Sequence, residues 1–202
     1  MESVQFIIIM NGHTACLKTY TARRLANVLK VLLVETNKLG RCTNPDGLLN
    51  DEFRELRYNT LFGVVRQLLA RGESVVADGT FTLRRRRNVL YSLCKEFNIQ
   101  AVVIVRCVCS DSEIIKLRID ERRTMEYRPD HESADFQNYE KTRAEDESIF
   151  EDILMSGERP AIVEFDTAHY TLCIKQPDAF GVAERVKQIT WESIHTGRLS
   201  EH

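Results

Sequence analysis

Five short apolar runs, separated by longer amphipathic stretches, constrain the fold of this chain most strongly. The runs are rich in β-branched residues and cover residues 4–10, 31–35, 74–77, 99–108 and 160–165. Apolar strands that alternate with helices are typical of βαβ units, in which helices cover both faces of a parallel sheet. The pattern therefore predicts an α/β fold with a five-stranded parallel sheet.

The stretches between the runs predict the helical layers and the connections. Apolar spacing indicates helices over residues 18–30, 51–70 and 83–97. A capping box of Ser110 and Glu113 predicts a further helix that reaches about residue 123. Helices are also expected over about residues 135–155 and 179–191, whereas residues 36–50 hold Gly, Pro, Asn and Asp and are interpreted as a loop. All 202 residues are expected to form one domain, with a lid over about residues 110–156.

Composition restricts the class of protein further. The net charge is −2, so the chain carries no overall basic field of the kind that attracts nucleic acid. The six cysteines show no C-x-x-C pair, and free thiols in a reducing compartment are the simplest interpretation. No apolar run approaches the roughly 20 residues needed to span a bilayer, and no basic leader precedes the first run. We expect a soluble cytoplasmic protein without membrane contact.

The segment GHTACLKT, residues 12–19, follows the first apolar run and precedes the first predicted helix. It matches the phosphate-binding pattern G-x-x-x-x-G-K-[ST] except that Leu17 replaces the second glycine. In such a loop the backbone N–H groups of the whole segment surround the phosphates of a nucleotide. The expected phosphate-binding residues are Gly12, His13, Thr14, Ala15, Cys16, Leu17, Lys18 and Thr19. An ordinary helix start with a solvated lysine is the alternative.

Two side chains of this loop and one acidic residue elsewhere are candidates for phosphate and metal contacts. Lys18 would reach the β- and γ-phosphates of ATP, and the Thr19 hydroxyl would ligate Mg²⁺. Asp78 follows the third apolar run, SVVA, at the edge of the sheet where ligands bind in open α/β folds. It is a candidate to hold the magnesium ion through water, and a capping or turn aspartate is the alternative.

Four segments in this order resemble P-loop kinases of the AAA-domain-containing phosphotransferase type, which are related to polynucleotide kinase, zeta toxin and chloramphenicol phosphotransferase. They are GHTACLKT, DGTFTLRRRR, the R-x-x-x-R pair Arg118 and Arg122, and FDT at residues 165–167. The resemblance covers about residues 4–170 and implies a three-layer fold with a helical lid. It also implies transfer of the γ-phosphoryl group from ATP, with Mg²⁺ as cofactor.

The resemblance implies further contacts for arginine side chains. Arg118 and Arg122 would neutralise the transferring phosphoryl group from the lid helix, and helical spacing places both on one face. Surface ion pairs with Asp120, Glu121 or Glu126 are the alternative. Arg87 matches the arginine that the family carries about nine residues after the aspartate, and it is a candidate for substrate contact. The preceding Arg84–Arg86 are interpreted as a solvated helix start.

The general base is the least defined part of the predicted site. The family usually carries an aspartate just after the second strand, but Asn37 stands there and cannot accept a proton. Glu35 is a candidate substitute, as are Asp46 and Asp51 from the following segment, while Asn37 could orient the acceptor. Phosphoryl transfer can depend largely on positioning and charge stabilisation, so the asparagine does not exclude activity.

The predicted partners are ATP and a hydroxylated acceptor that is a small molecule or a nucleotide-type compound. Arg41, Arg54, Arg57 and Tyr58 are candidates to hold this acceptor, because the segment after the second strand covers the acceptor pocket in the family. Helix-surface packing is the alternative for the last three. Two other functions remain open. One is a nucleotide-binding regulator with a degenerate site, suggested by Leu17 and Asn37, and the other is a nucleic-acid 5′-hydroxyl kinase, suggested by Arg84–Arg87 and Arg41.

Overall fold

The computed structural model describes residues 5–43, 51–99, 101–124, 136–144, 146–168 and 183–188. The predicted parallel sheet is confirmed, and its five strands lie in the order β2-β3-β1-β4-β5. Each apolar run supplies one strand: β1 (Phe6–Asn11), β2 (Leu32–Glu35), β3 (Val75–Asp78), β4 (Ala101–Val108) and β5 (Ala161–Asp166). All pairings are parallel, so the carboxyl ends of all five strands meet at one edge.

Helices cover both faces of the sheet. Their bounds are α1 (Lys18–Leu29), α2 (Thr36–Thr43), α3 (Asp51–Ala70), α4 (Arg84–Glu96), α5 (Ser112–Thr124) and α6 (Phe136–Ala144). One buried cluster joins the sheet to α3 and α4, and the other joins it to α1, α5 and α6. Residues alternate along β1 between the two clusters, Ile7 and Ile9 in the first and Ile8 and Met10 in the second, as expected for a strand buried on both faces.

Three sequence-based expectations about helices are wrong in detail. Residues 36–43 form α2 rather than a loop, because Leu39 packs against the core and outweighs the local preference of Gly40. The cap of α5 is Asp111, whose Oδ1 accepts the Glu113 N–H at 2.8 Å, and the predicted Ser110 box does not form. The helix expected over residues 135–155 ends at Ala144, because residues 146–152 instead contact the first loop and α4.

The carboxyl end of the chain is described only over residues 183–188, which are helical. Ala183 and Val186 of this segment are buried in the cluster beneath α1. The rest of the helix expected over residues 179–191 lies outside the described residues. In the part of the chain that the structure describes, no helix is both long enough and apolar enough to cross a bilayer.

Candidate phosphate-binding site

The first glycine of the loop GHTACLKT cannot be replaced without moving the backbone. Gly12 follows β1 with φ +131°, and a Cβ atom built on it would lie 2.1 Å from the carbonyl oxygen of Cys107 in β4. Its N–H donates to the carbonyl of Thr80, 3.3 Å away, just beyond the end of β3. Glycine therefore lets the loop leave β1 between two neighbouring strand ends.

Leu17 occupies the place of the second glycine and has the backbone conformation that glycine favours. Its φ of 55° and ψ of 21° lie in the left-handed region, and it forms the N-terminal boundary of α1. Ala15 also has a positive φ, 64°. Such conformations cost non-glycine residues about 1–2 kcal/mol each, and burial of the Leu17 side chain, which is 5% exposed, offsets this cost. The loop thus keeps left-handed positions without the second glycine.

Lys18 and Thr19 begin α1 with their side chains on the loop side. The Lys18 Nζ donates to the carbonyl of His13, which folds the ammonium group across the loop. The Thr19 hydroxyl donates to Asp78 Oδ2 at 2.6 Å, so the start of α1 is joined to the end of β3. The structure therefore brings together three residues that the sequence singled out separately.

Asp78 is buried at this junction, and its carboxylate is only partly hydrogen-bonded. Burial raises the pKa of Asp78 to about 6, although the Thr19 hydroxyl and the Lys18 charge oppose the shift. Its Oδ1 atom has no hydrogen-bond partner within the described part of the chain. A hydroxyl oxygen beside a carboxylate with one unused oxygen fits the ligand preference of Mg²⁺. Thr19 and Asp78 are thus suited to hold this ion.

The end of β2 differs from the expectation of a free general base. Glu35 pairs in register with Asp78, but its carboxylate is bound by Arg23 at 2.7 Å and Lys38 at 2.8 Å. Burial raises its pKa, yet the hydrogen bonds from Arg23 and Lys38 outweigh burial and hold the pKa below its ordinary value. Asn37 follows on the exposed side of α2. Glu35 is therefore an ionised partner of two cations, which gives no support to a function as the base.

Of the two other carboxylates considered as bases, the structure describes only Asp51. Asp51 is 96% exposed in its side chain, where it pairs with Arg54 at 3.4 Å. Asp46 lies outside the described residues. Arg57 is half-buried on α3, and Arg41 lies in α2 with its side chain outside the described part. Of the acceptor-binding candidates, Arg54 is thus placed in a surface ion pair.

Arg118 of α5 reaches the loop but acts there on protein groups. Its Nη1 donates to the carbonyl of Ala15 at 3.1 Å and to the Thr167 hydroxyl at 3.0 Å, and its Nη2 donates to the Thr167 carbonyl at 2.5 Å. The side chain is buried. It therefore fastens the loop to the end of β5, the FDT segment. The side chain of Arg122, its expected companion, is not among those described.

Arg87 is fully buried, and all of its guanidinium nitrogens donate hydrogen bonds to protein groups. Its Nε donates to Asp152 at 2.5 Å, its Nη1 to the carbonyls of Phe81 and Thr82, and its Nη2 to Asp152 and to the carbonyls of Glu147 and Ser148. These bonds account for all five N–H groups of a guanidinium. The geometry contradicts the expected substrate contact, because Arg87 instead fixes residues 147–152 on the start of α4.

Sequence reasoning missed a contact between the loop and the segment that follows α6. The His13 Nε2 lies 3.2 Å from Asp146 Oδ2, and the Tyr139 ring meets the imidazole edge to face with centroids 5.9 Å apart. Arg106, at the end of β4, lies 3.9 Å from the same carboxylate oxygen. His13 and Asp146 are 133 positions apart, so no local pattern indicates this pair.

The four cysteines that the structure describes are all free thiols. Burial raises the pKa of both Cys94 and Cys107 to about 12. Within the described residues, no group of three or more His, Cys, Asp or Glu side chains could hold a metal ion. A metal centre held by the protein alone therefore has no support there, whereas an ion shared with phosphate oxygens needs fewer protein ligands.

The fold and the loop match known proteins. A family model described as an AAA domain matches residues 7–145, and the chain belongs to this family. The fold is the P-loop kinase-like fold, as the resemblance implied. No curated protein shows significant sequence similarity to the chain.

Solved structures support the same fold at low sequence identity. A protein from Chloroflexus aurantiacus, described provisionally as a kinase, has a TM-score of 0.69 at 18% identity and covers 92% of this chain and 98% of its own. Chaetomium thermophilum Kti12, solved with ADP-AlF3, has a TM-score of 0.65 at 16% identity, with 93% and 98% covered. A gluconokinase from Sinorhizobium meliloti has a TM-score of 0.57 at 18% identity, with 93% and 97% covered.

Proposed function

We propose that the chain is a phosphotransferase that uses ATP and Mg²⁺ to transfer the γ-phosphoryl group to a hydroxyl of a small-molecule or nucleotide-type acceptor. The convergence of Lys18, Thr19 and Asp78 at the carboxyl ends of β1 and β3 carries this proposal. The kinase descriptions of the Chloroflexus and Sinorhizobium proteins, and the ADP-AlF3 bound by Kti12, agree with it.

Each residue has a defined part in the proposed reaction. The loop from Gly12 to Thr19 surrounds the phosphates with backbone N–H groups at the start of α1, where the helix dipole favours negative charge. Lys18 exchanges the carbonyl of His13 for phosphate oxygens and stabilises negative charge on the γ-phosphoryl group. Thr19 and Asp78 would hold Mg²⁺, which supplies charge neutralisation between the β- and γ-phosphates when bound. Arg118 positions the loop through Ala15.

The proposed transfer depends on positioning rather than on a strong base near β2. Asn37 carries no proton-accepting group, and Glu35 is already paired with Arg23 and Lys38. Positioning and charge stabilisation supply most of the catalysis in phosphoryl transfer. An acceptor hydroxyl oriented by the amide of Asn37 is compatible with this chemistry.

A regulatory nucleotide-binding protein is the second candidate, and the engaged carboxylate of Glu35 is the observation that favours it. The third candidate, a nucleic-acid 5′-hydroxyl kinase, loses its main argument. The run Arg84–Arg87 is paired with Glu151, Asp152 and Glu55 rather than forming a free basic patch.

Calorimetry with ATP and Mg²⁺ tests the proposal. The native chain should bind, and Lys18→Ala should weaken binding at least about 30-fold, or roughly 2 kcal/mol, because a charge-assisted contact is lost. Lys116→Ala is the matched control, since Lys116 lies exposed on α5, where it pairs with Glu113 and contacts the Phe136 ring.

Turnover then separates an enzyme from a regulator. The native chain should release phosphate slowly from ATP in the absence of an acceptor, and Asp78→Ala should abolish this release. Absence of any heat with native protein would end both the enzyme and the regulator proposals, whereas binding without phosphate release or transfer would favour the regulator.

A further inference from the structure

The turn that follows β3 is held by several hydrogen bonds and borders the phosphate-binding loop. Phe81 has φ 43°, an unusual value for a bulky residue, and its carbonyl accepts from Asn11 Nδ2 at 2.9 Å and from Arg87. Thr80 accepts the Gly12 N–H and donates its own N–H to the Tyr58 hydroxyl at 3.0 Å. A single residue, Thr80, therefore separates the Tyr58 hydroxyl from Gly12 of the loop.

Arg86 lies against the ring of Tyr58 at this place. Its guanidinium carbon is 3.9 Å from the ring centroid, a distance suited to a cation–π contact. The side chain is 13% exposed, whereas that of the preceding Arg85 is 68% exposed. The expectation that Arg86 belongs to a solvated helix start is thus wrong, because α4 turns this side chain inward over α3.

The guanidinium of Arg86 keeps unused hydrogen-bond donors. Glu55 Oε1 accepts from its Nη2 at 3.0 Å and is its one acceptor among the described residues. The Nε atom is buried and has no hydrogen-bond partner in the part of the chain that the structure describes. An unsatisfied buried donor costs about 1–3 kcal/mol, so a water, an ion or a ligand group is expected to complete it.

The positive charge around Arg86 is also not fully compensated by nearby carboxylates of the described residues. The same Glu55 oxygen accepts from Arg85 at 2.9 Å, so one carboxylate faces two guanidinium groups. One positive charge is therefore left over beside the Tyr58 ring. Arginine with free donors in a planar fork is the side chain best suited to bind a carboxylate or phosphate group.

We propose that Arg86, held on Tyr58 and Glu55, binds an anionic group of the acceptor, so that the chain selects hydroxylated acceptors carrying a carboxylate or phosphate. The inference rests on the proposed phosphotransferase function. The anionic group lies on the Arg86 side of the Thr80 turn, and the hydroxyl of the same acceptor faces the loop. Arg86 would then determine acceptor specificity. The sequence alone does not distinguish it from the other three arginines at the start of α4.

The first arm of the test measures anion binding beside a filled loop. Inorganic phosphate and acetate are titrated into the native chain saturated with ADP and Mg²⁺, and ¹⁵N–¹H spectra of arginine-labelled protein follow the Arg86 Nε–H. Both anions should shift this resonance, and Arg86→Met should weaken anion binding at least tenfold. Lys95→Met is the matched control, since it removes a positive charge from the exposed last turn of the same helix and should change binding less than threefold.

The second arm measures transfer with paired acceptors that differ in charge. Glycerol is compared with glycerate and glycerol 3-phosphate, and glucose with gluconate and glucose 6-phosphate. The native chain should favour an anionic member at least tenfold in kcat/KM, and the carboxylate and phosphate compounds show which anion is preferred. Arg86→Met should raise KM for that acceptor at least tenfold with kcat within threefold, and Arg86→Lys should recover part of the loss.

The two proposals fail in different ways. If ADP does not bind, the phosphotransferase proposal fails before any anion is added. If ADP binds and ATP is turned over but phosphate and acetate leave the Arg86 resonance unmoved, the assignment of Arg86 is overturned. Equal use of neutral and anionic acceptors overturns it as well. Thermal unfolding of both methionine variants excludes a general loss of fold as the cause.

Discussion

The loop beside β1 and the end of β2 lie at the same edge of the sheet, yet they meet expectation very differently. At the loop, Lys18, Thr19 and Asp78 converge as the sequence pattern predicts. At β2, the carboxylate of Glu35 is held by Arg23 and Lys38, and Asn37 supplies no base. Phosphate binding needs a fixed backbone shape, whereas acceptor chemistry needs only a few side chains, so the second region can vary while the first is retained.

Arg87→Ala tests whether a buried arginine on the acceptor side supports the fold rather than the substrate. The substitution leaves the buried Asp152 with only the Arg84 guanidinium and the Tyr91 hydroxyl as partners and removes the donor to four carbonyls, so the free energy of unfolding should fall by about 3–5 kcal/mol. Urea denaturation measures the change. Arg85→Ala, on the same helix but in an exposed pair, should cost at most about 1 kcal/mol. A small loss for Arg87→Ala with weakened acceptor binding would restore the original expectation.

Gly12→Ala tests the loop side of the comparison. The new Cβ would meet the Cys107 carbonyl, and φ +131° is strained for alanine, so the loop must move away from β4. Calorimetry should show ATP binding weakened at least about 100-fold, or roughly 2.7 kcal/mol. Gly63→Ala is the control, because nothing lies within 4 Å of its added Cβ in the middle of α3. It should leave binding unchanged and stabilise the helix by about 0.5–1 kcal/mol. Unchanged affinity in Gly12→Ala would remove Gly12 from the binding site.

Asp78→Asn tests how much the buried, ionised carboxylate of Asp78 lowers the free energy of unfolding. The folded pKa is about 6 and the ordinary value is 3.8, so between these pH values the folded chain binds more protons than the unfolded chain. Stability therefore falls as pH rises through this window, and the loss is complete above it.

Without divalent cations, Asp78→Asn should be more stable than the native chain at pH 7.5 by about 1–3 kcal/mol, with little difference at pH 4. Thermal or urea unfolding at the two pH values measures this. The same variant should lose the Mg²⁺ dependence of ATP binding. A native chain that gains stability between pH 4 and 6 relative to the variant would show that Asp78 is not destabilised by burial.

The sequence predicts the sheet well because each strand is specified by its own apolar, β-branched residues. The site is less predictable, because its side chains depend on packing between distant segments. Arg86 and Arg87 are adjacent and chemically identical, yet one lies on Tyr58 and the other pairs with Asp152. Only the orientation of α4 against α3 and residues 147–152 distinguishes them. The His13–Asp146 contact likewise joins the loop after β1 to the segment after α6, which are far apart in sequence.

Leu17→Gly restores the second glycine of the phosphate-binding pattern and tests whether its absence lowers ATP affinity. It should give the smallest effect on nucleotide binding. Leu17 already has φ 55°, so glycine restores no new backbone shape, and ATP affinity should change less than threefold. Stability should fall by about 1–3 kcal/mol, because loss of a buried leucine outweighs relief of left-handed strain. Ala15→Gly, also at a positive φ but with a small side chain, should stay within about 1 kcal/mol. An affinity gain of tenfold or more in Leu17→Gly would mean that the leucine itself restricts the phosphates, and the loop would then be as altered as the end of β2.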